Sequence, residues 1–186
     1  GTRFFWVGAV IPGTVGGRRA HPPKAEKNWK KKVNKKEKRA ALQSVLSATM
    51  IKTAVAENGH KVPDNFPFIV EGKFETVEKT KDVIATLQRL GFGEELQRTA
   101  KRKIHPGKAK MRGRRYKKVR GPLLVVSQPC QLQRAAKNIP GVEVTDVKNI
   151  NTALLAHDIK PGRLTLFTDA AIDALGKNMK GESDYK

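Results

Sequence analysis

Acidic residues are absent from the twenty positions between Lys101 and Arg120, which hold eleven Lys and Arg. No local neutralisation is available there, so that stretch cannot be an ordinary salt-bridged surface. Cysteine is almost missing. Cys130 is the single one, which excludes an intramolecular disulfide and suits a reducing cytosol. Long apolar runs are lacking too. Phe4 to Val7 and Ala9 to Ile11 fall far short of the roughly 20 residues that span a bilayer. With only Arg3 ahead of them and no small-residue cleavage site behind, they do not read as a secretory signal.

Catalytic and cofactor motifs are equally scarce. No G-x-G-x-x-G follows an expected strand, Gly107-Lys108 lacks the rest of a phosphate-binding loop, and no G-x-S-x-G elbow occurs. The histidines His21, His60, His105 and His157 are scattered, without Cys, His or Glu partners at metal-ligand spacing. His21 and His105 stand in basic contexts and read equally as RNA contacts or as solvated loop residues, whereas His60, after a helix-ending Gly, reads as a solvated loop residue. Cys130 has no identifiable base, and Asp169 with Asp173 is explained by a helix start and by solubility. No enzyme, metal or cofactor is expected.

What the chain has is positive charge, unevenly placed. Its 186 residues carry 38 Lys+Arg against 17 Asp+Glu, a net charge of +21. Residues 1–39 hold 12 basic and 2 acidic residues, and 101–120 hold the eleven without acid, so these two stretches account for all of the excess. Such runs call for a polyanion, and each phosphate they neutralise releases condensed counterion. Five of the eleven are Arg, whose planar fork grips a phosphate through two donors. From Lys24 onward only Trp29 and Tyr116 are aromatic within the two stretches, too few for a row of stacking platforms. Gly107, Gly113, Gly121, Pro106 and Pro122 interrupt the second run and exclude a continuous basic helix in a major groove. It reads as an extended, irregular loop suited to folded RNA.

The rest is patterned for a globular core. Asn34 and Glu37 resemble a capping box before a long helix, with Ala41, Val45, Ala48, Ile51 and Val55 on one face, Leu42 and Leu46 widening it, and Asn58-Gly59 as its stop. Phe66 to Val70 is an expected edge strand. A helix from about Thr80 ends at Gly91, and a shorter one covers Glu94 to Lys101. Thereafter strands and helices alternate: Leu123 to Ser127, Pro129 to Lys137, Val142 to Val147, a short helix capped by Asn151, Arg163 to Phe167, and a last helix, Asp169 to Leu175, capped by Thr168. This alternation predicts an α/β fold: a three-layer, mostly parallel sheet with helices on both faces, of Rossmann-like topology without a nucleotide site, plus two extended basic loops. The expected domains are an extended basic segment, 1–33, an α/β domain, 34–176, with the basic loop 101–121 inserted, and a polar tail, 177–186.

Three passages make a family resemblance specific. They are Gly16-Gly-Arg-Arg-Ala-His-Pro-Pro-Lys24, Gly107-Lys-Ala-Lys-Met-Arg-Gly-Arg-Arg-Tyr116, and Ala135-Ala-Lys-Asn-Ile-Pro-Gly-Val142 followed by Pro161-Gly-Arg-Leu-Thr-Leu-Phe-Thr168. In this order and spacing the chain resembles the archaeal and eukaryotic form of the fourth large-subunit ribosomal protein family, over about residues 16 to 176. The resemblance implies a structural constituent of the large ribosomal subunit that binds its rRNA in the cytoplasm. It would sit as a monomer beside neighbouring large-subunit ribosomal proteins, with no membrane and no small-molecule substrate. An RNA-processing or accessory factor on an α/β scaffold is the alternative.

The same resemblance implies that Arg18, Arg19, His21 and Lys24 belong to the returning limb of a loop directed toward the peptide exit tunnel. Lys108, Lys110, Arg112, Arg114, Arg115 and Tyr116 would form a second RNA-binding loop. The charge runs add Lys27, Lys30, Lys31 and Lys35 to the first group, and Lys103, His105, Lys117, Lys118 and Arg120 to the second. The family's domain begins earlier, so the first strand and helix, the outgoing limb and the loop tip are expected to lie upstream of this chain. Two passages depart from the family pattern. Phe4, Phe5, Trp6, Val7, Val10 and Ile11 replace a Gly-rich or polar stretch and either pack against RNA or a neighbouring protein or form an altered start. Ala156-His157-Asp158-Ile159 replaces a Gly-rich turn.

Overall fold

Turn residues decide where the elements fall. The structure, a computed structural model, describes residues 11–157 and 160–180. It divides into two units, Gly1–Asn34 and Lys35–Lys186. The described part of the first, 11–34, has no helix or strand. Local bonds shape it instead: Gly17 N donates to Thr14 O at 2.9 Å and Lys27 N to Lys24 O at 3.3 Å. The apolar start from Phe4 to Val10 lies outside the described residues.

The second unit opens on α1 (Lys35–Thr49) and α2 (Lys52–Glu57), where one long helix is expected. Hydroxyls cause the break. Ser47 Oγ donates to Ser44 O and Thr49 Oγ1 to Leu46 O, while Met50 N and Ile51 N reach back only three residues, to Ser47 O and Ala48 O. The final turn tightens in this way, and β-branched Ile51 leaves the helix in extended geometry, φ −90 and ψ 109. The buried face shifts accordingly: Leu46 and Thr49 are covered and Ala41 and Ile51 are exposed. Gly59, at φ 81, supplies the expected stop.

Further along lie β1 (Ile69–Val70), a 3-10 turn (Gly72–Thr76), α3 (Thr80–Arg89) and α4 (Gly93–Ala100). The basic stretch forms β2 (Lys103–Ile104), α5 (Lys108–Met111) and β3 (Tyr116–Lys117). After it come β4 (Leu123–Val126), α6 (Gln131–Ala136), β5 (Glu143–Asp146), α7 (Thr152–Leu155), β6 (Ala156–His157), β7 (Lys160–Pro161), β8 (Thr165–Thr168) and α8 (Asp169–Lys180). The caps expected at Asn151 and Thr168 are made: Asn151 Oδ1 accepts from Leu154 N at 2.9 Å and Thr168 Oγ1 from Ala171 N at 3.2 Å. Three differences stand out. The first strand is shorter than expected, α8 runs on to Lys180, and the small antiparallel pair β6 and β7 is unforeseen, with residues 158–159 between them outside the described ones.

The main sheet has the order β1-β8-β4-β5, and every neighbouring pair is parallel. Strand pleating sends Leu124, Val126 and Leu166 to one face, where Val83, Leu87, Leu132 and Ala136 cover them. Leu123, Val125 and Phe167 turn to the other, under Leu46, Leu155 and Ala171. Helices on both faces make the expected three layers, and β4 is buried throughout. Each fully covered Leu or Val contributes about 1.5–3 kcal/mol.

Candidate nucleic-acid interface

In open α/β sheets the usual ligand crevice lies beyond the carboxyl ends of the strands, where successive connections leave to opposite faces. That point falls here between β4 and β8. It is filled from within. The carboxylate of Glu75 accepts from Ser127 N at 3.0 Å, from Ser127 Oγ at 2.8 Å and from Thr168 Oγ1 at 2.6 Å. A carboxylate consuming the donors at both strand ends leaves no phosphate cradle. The Cys130 thiol, at the start of α6, is pushed up by burial, away from a nucleophile. Among the described residues no cluster of His, Cys, Asp or Glu is placed to hold a metal, and no helix is long and apolar enough to cross a membrane.

Chemistry of another kind is concentrated in the basic stretch. It is an antiparallel hairpin, which corrects the expectation of an irregular loop: Lys103 pairs with Lys117 and Ile104 with Tyr116, and His105 N donates to Arg115 O at 2.9 Å. Gly107 at φ 62 and Gly113 at φ 78 turn the chain into and out of α5, conformations that only glycine adopts without strain. Lys103, Lys108, Lys110, Arg112, Arg114, Arg115, Lys117 and Lys118 are exposed, and His105 is half-buried. Among the described residues no cation from Lys101 to Lys118 has a carboxylate partner. Two guanidinium groups stand near the Tyr116 ring, Arg102 at 5.7 Å and Arg115 at 5.8 Å from its centroid.

The hairpin is exposed, but its root is not. Arg98 Nη2 donates to Arg120 O at 2.7 Å and to Glu95 Oε1 at 2.6 Å, while Arg98 Nε reaches Glu95 Oε2 at 2.8 Å. Glu95 is fully buried and also accepts from Lys61 N at 2.9 Å and from His60 Nδ1 at 2.7 Å. Burial alone raises a carboxyl's pKa, yet the bonds from Arg98, His60 and Lys61 outweigh it and bring Glu95 down to about 2. His60 is therefore a buried partner of an ionised carboxylate, which corrects its reading as a solvated loop residue.

Arg163 secures the other side of the root. Its side chain is wholly buried, with Nε donating to Gly121 O at 3.0 Å and Nη1 to Glu143 Oε2 at 2.7 Å and Leu154 O at 3.0 Å. Burial depresses its pKa, with the Glu143 carboxylate acting in the opposite direction. Gly121 N donates to Gly141 O at 2.8 Å. Thr99 packs against both glycines so closely that a Cβ would come within 2.6 Å of its Cγ2 at Gly121 and within 2.7 Å of its Cβ at Gly141. Arg120 faces the domain as well, Nη1 donating to Ala153 O at 3.2 Å.

The first unit carries its share of the expected residues separately. Arg18, Arg19, His21, Lys24, Lys27, Lys30 and Lys31 are all exposed, and Lys27 Nζ stands 4.6 Å from the Trp29 ring centroid. Lys35 is the first residue of α1, in the second unit, and is exposed. Sequence reasoning passed over Lys101 and Arg102, which flank the hairpin, and the anchors Glu95, Arg98 and Arg163. The first two lay in the acid-free run and were legible. Nothing in the spacing of the anchors announces that they meet.

The sequence is similar to those of known proteins. A family model described as ribosomal protein L4/L1 family matches residues 7–178. The chain is 44% identical to large ribosomal subunit protein uL4 of Archaeoglobus fulgidus, over 90% of this chain and 67% of that protein. Against the protein of the same name from Methanocaldococcus jannaschii it is 45% identical over 90% and 67%, and against that of Nanoarchaeum equitans 43% over 94% and 65%. It spans about two thirds of the length of these relatives. With nearly its whole length matched by one family, the chain belongs to the ribosomal protein L4/L1 family.

Proposed function

We propose that this chain is a structural, non-catalytic constituent of the large ribosomal subunit in the cytoplasm, where it binds large-subunit rRNA beside neighbouring ribosomal proteins. The observation that carries this is the hairpin of Lys101 to Arg120: its cations through Lys118 have no carboxylate partner among the described residues, and its root is fixed by bonds from half-buried Arg98 and buried Arg163. A rigid root with an unneutralised arm positions charge for phosphates that the protein does not supply. Lys103 opposite Lys117 is a like-charge cross-strand pair, unfavourable until an anion lies against it.

The exposed basic residues from Arg18 to Lys31 form a second contact region in this reading, and Lys35, in the other unit, is a further cation for RNA. The segment 1–33 is part of an extension directed toward the peptide exit tunnel, 34–176 the globular domain, and 177–186 a polar end. The test is the salt dependence of binding to large-subunit rRNA. Replacing Arg112, Arg114 and Arg115 together by Ala leaves the circular dichroism spectrum intact and flattens the slope of log K against log salt by about 0.7–0.9 per lost phosphate contact. An unchanged slope removes the hairpin from the interface.

A further inference from the structure

Ile104 and Tyr116 face each other across the hairpin. The neighbouring pair shares a ladder bond, His105 N to Arg115 O at 2.9 Å, so Ile104 and Tyr116 are the non-hydrogen-bonded pair, whose side chains approach closest. Both remain in solvent, Ile104 55% and Tyr116 48% exposed. An apolar pair kept wet at the centre of a charged arm calls for a surface to lie against. The period of two puts Arg102 and Lys118 on the same side of the ribbon, and these two line a groove of about 1150 Å³ together with Tyr116.

The rim of this spot selects its occupant. The guanidinium carbons of Arg102 and Arg115 stand 5.7 and 5.8 Å from the Tyr116 ring centroid, whereas carbons packed flat on one another lie about 3.5–4.0 Å apart. Neither cation is stacked flat on the ring. A ring left open beside two cations matches a flat apolar group that carries anions close to itself, and a nucleobase, one ribose from its phosphates, is such a group. An apolar side chain of a neighbouring protein matches the ring but not the cations. Bases of RNA reach an aromatic platform where they are unpaired, and stacking is tolerant of which base arrives. We propose that Tyr116 is the platform for one unpaired base of large-subunit rRNA, with Ile104 extending the apolar seat and Arg102 and Arg115 on the flanking phosphates. The proposal rests on the RNA-binding reading above and names what the hairpin holds besides phosphate.

Fluorescence anisotropy of the full chain with two labelled RNA oligomers tests it. One is a run of abasic ribose phosphates with a single central adenine, the other is fully abasic, and their equal charge makes the affinity ratio report the base alone. The adenine oligomer binds about tenfold more tightly. Tyr116→Leu abolishes that ratio and leaves binding of the abasic oligomer as it was, Tyr116→Phe keeps the ratio because the ring stacks without its hydroxyl, and Trp29→Leu keeps it too. Equal binding of the two oligomers by the unaltered chain, a ratio that survives Tyr116→Leu, or one lost in Tyr116→Phe overturns the proposal, as would follow if the apolar pair met a protein instead. If rRNA binding keeps its steep, arginine-dependent salt slope in that case, only the stacking assignment falls; if the slope is also insensitive to the three arginines, the RNA-binding reading of the hairpin falls with it.

Discussion

Glu95 is a carboxylate without exposed surface, held by three residues from two places in the chain: His60 with Lys61, and Arg98. Its carboxyl drops from an ordinary 4.5 to about 2 on folding. The unfolded chain therefore takes up a proton first as pH falls, and the stability that ionised Glu95 contributes is complete above about 4.5 and lost between there and about 2. Glu95→Ala removes this acid-labile contribution and strands Arg98 and His60. The expected cost is about 3–5 kcal/mol at pH 7, measured by urea unfolding, with a smaller difference between variant and parent at pH 3. Arg163 shows the opposite balance, a buried cation whose pKa is depressed by burial with the Glu143 carboxylate only partly offsetting it, and whose bonds go to Gly121, Glu143 and Leu154. A lysine there has the charge but not the fork, and reaches fewer of these acceptors.

At the scale of elements, the two glycines of the hairpin root differ in kind from the two at its tip. Gly141 has φ +79 and a Cβ there would stand 2.9 Å from Val119 O and 2.7 Å from Thr99 Cβ, whereas Gly113, at φ +78, faces open space. Gly113→Ala carries only the left-handed penalty of about 1–2 kcal/mol. Gly141→Ala adds a collision with backbone and is expected to lower Tm by clearly more, beyond about 4 °C, in a thermal scan. The alternation from Leu123 to Asp169, its two side-chain caps and the edge position of β1 were legible because each is written in a local period or a single capping residue. The break at Met50–Ile51 was not, since hydroxyl bonds back to the helix compete with a face that reads as continuous. The hairpin was missed as structure because two-residue strands leave too few positions for a period of two, and its charges hide the pairing. Of the candidate interface, the charges were visible and their mounting was not: Arg98 and Arg163 act on residues 22 and 42 positions away.

For the molecule as a whole, a net charge of +21 is a stored repulsion, relieved by whatever anion it meets. Raising salt from low to moderate concentration is expected to raise Tm slightly by screening, and short polyanionic RNA to raise it further. An RNA at 100 times its Kd contributes about 2.7 kcal/mol if it binds only the folded state, which calorimetry at fixed ionic strength resolves; RNA without effect beyond equal added salt would contradict binding to the folded chain. The globular domain has no comparable place for an anion at its strand ends. Glu75 sits between Ser127 and Thr168 at the strand ends, and being tethered to the chain it acts as a permanent competitor at high effective concentration. A free phosphate arriving there would have to expel a group that never diffuses away, so the sheet's own ligand pocket is closed by occupancy.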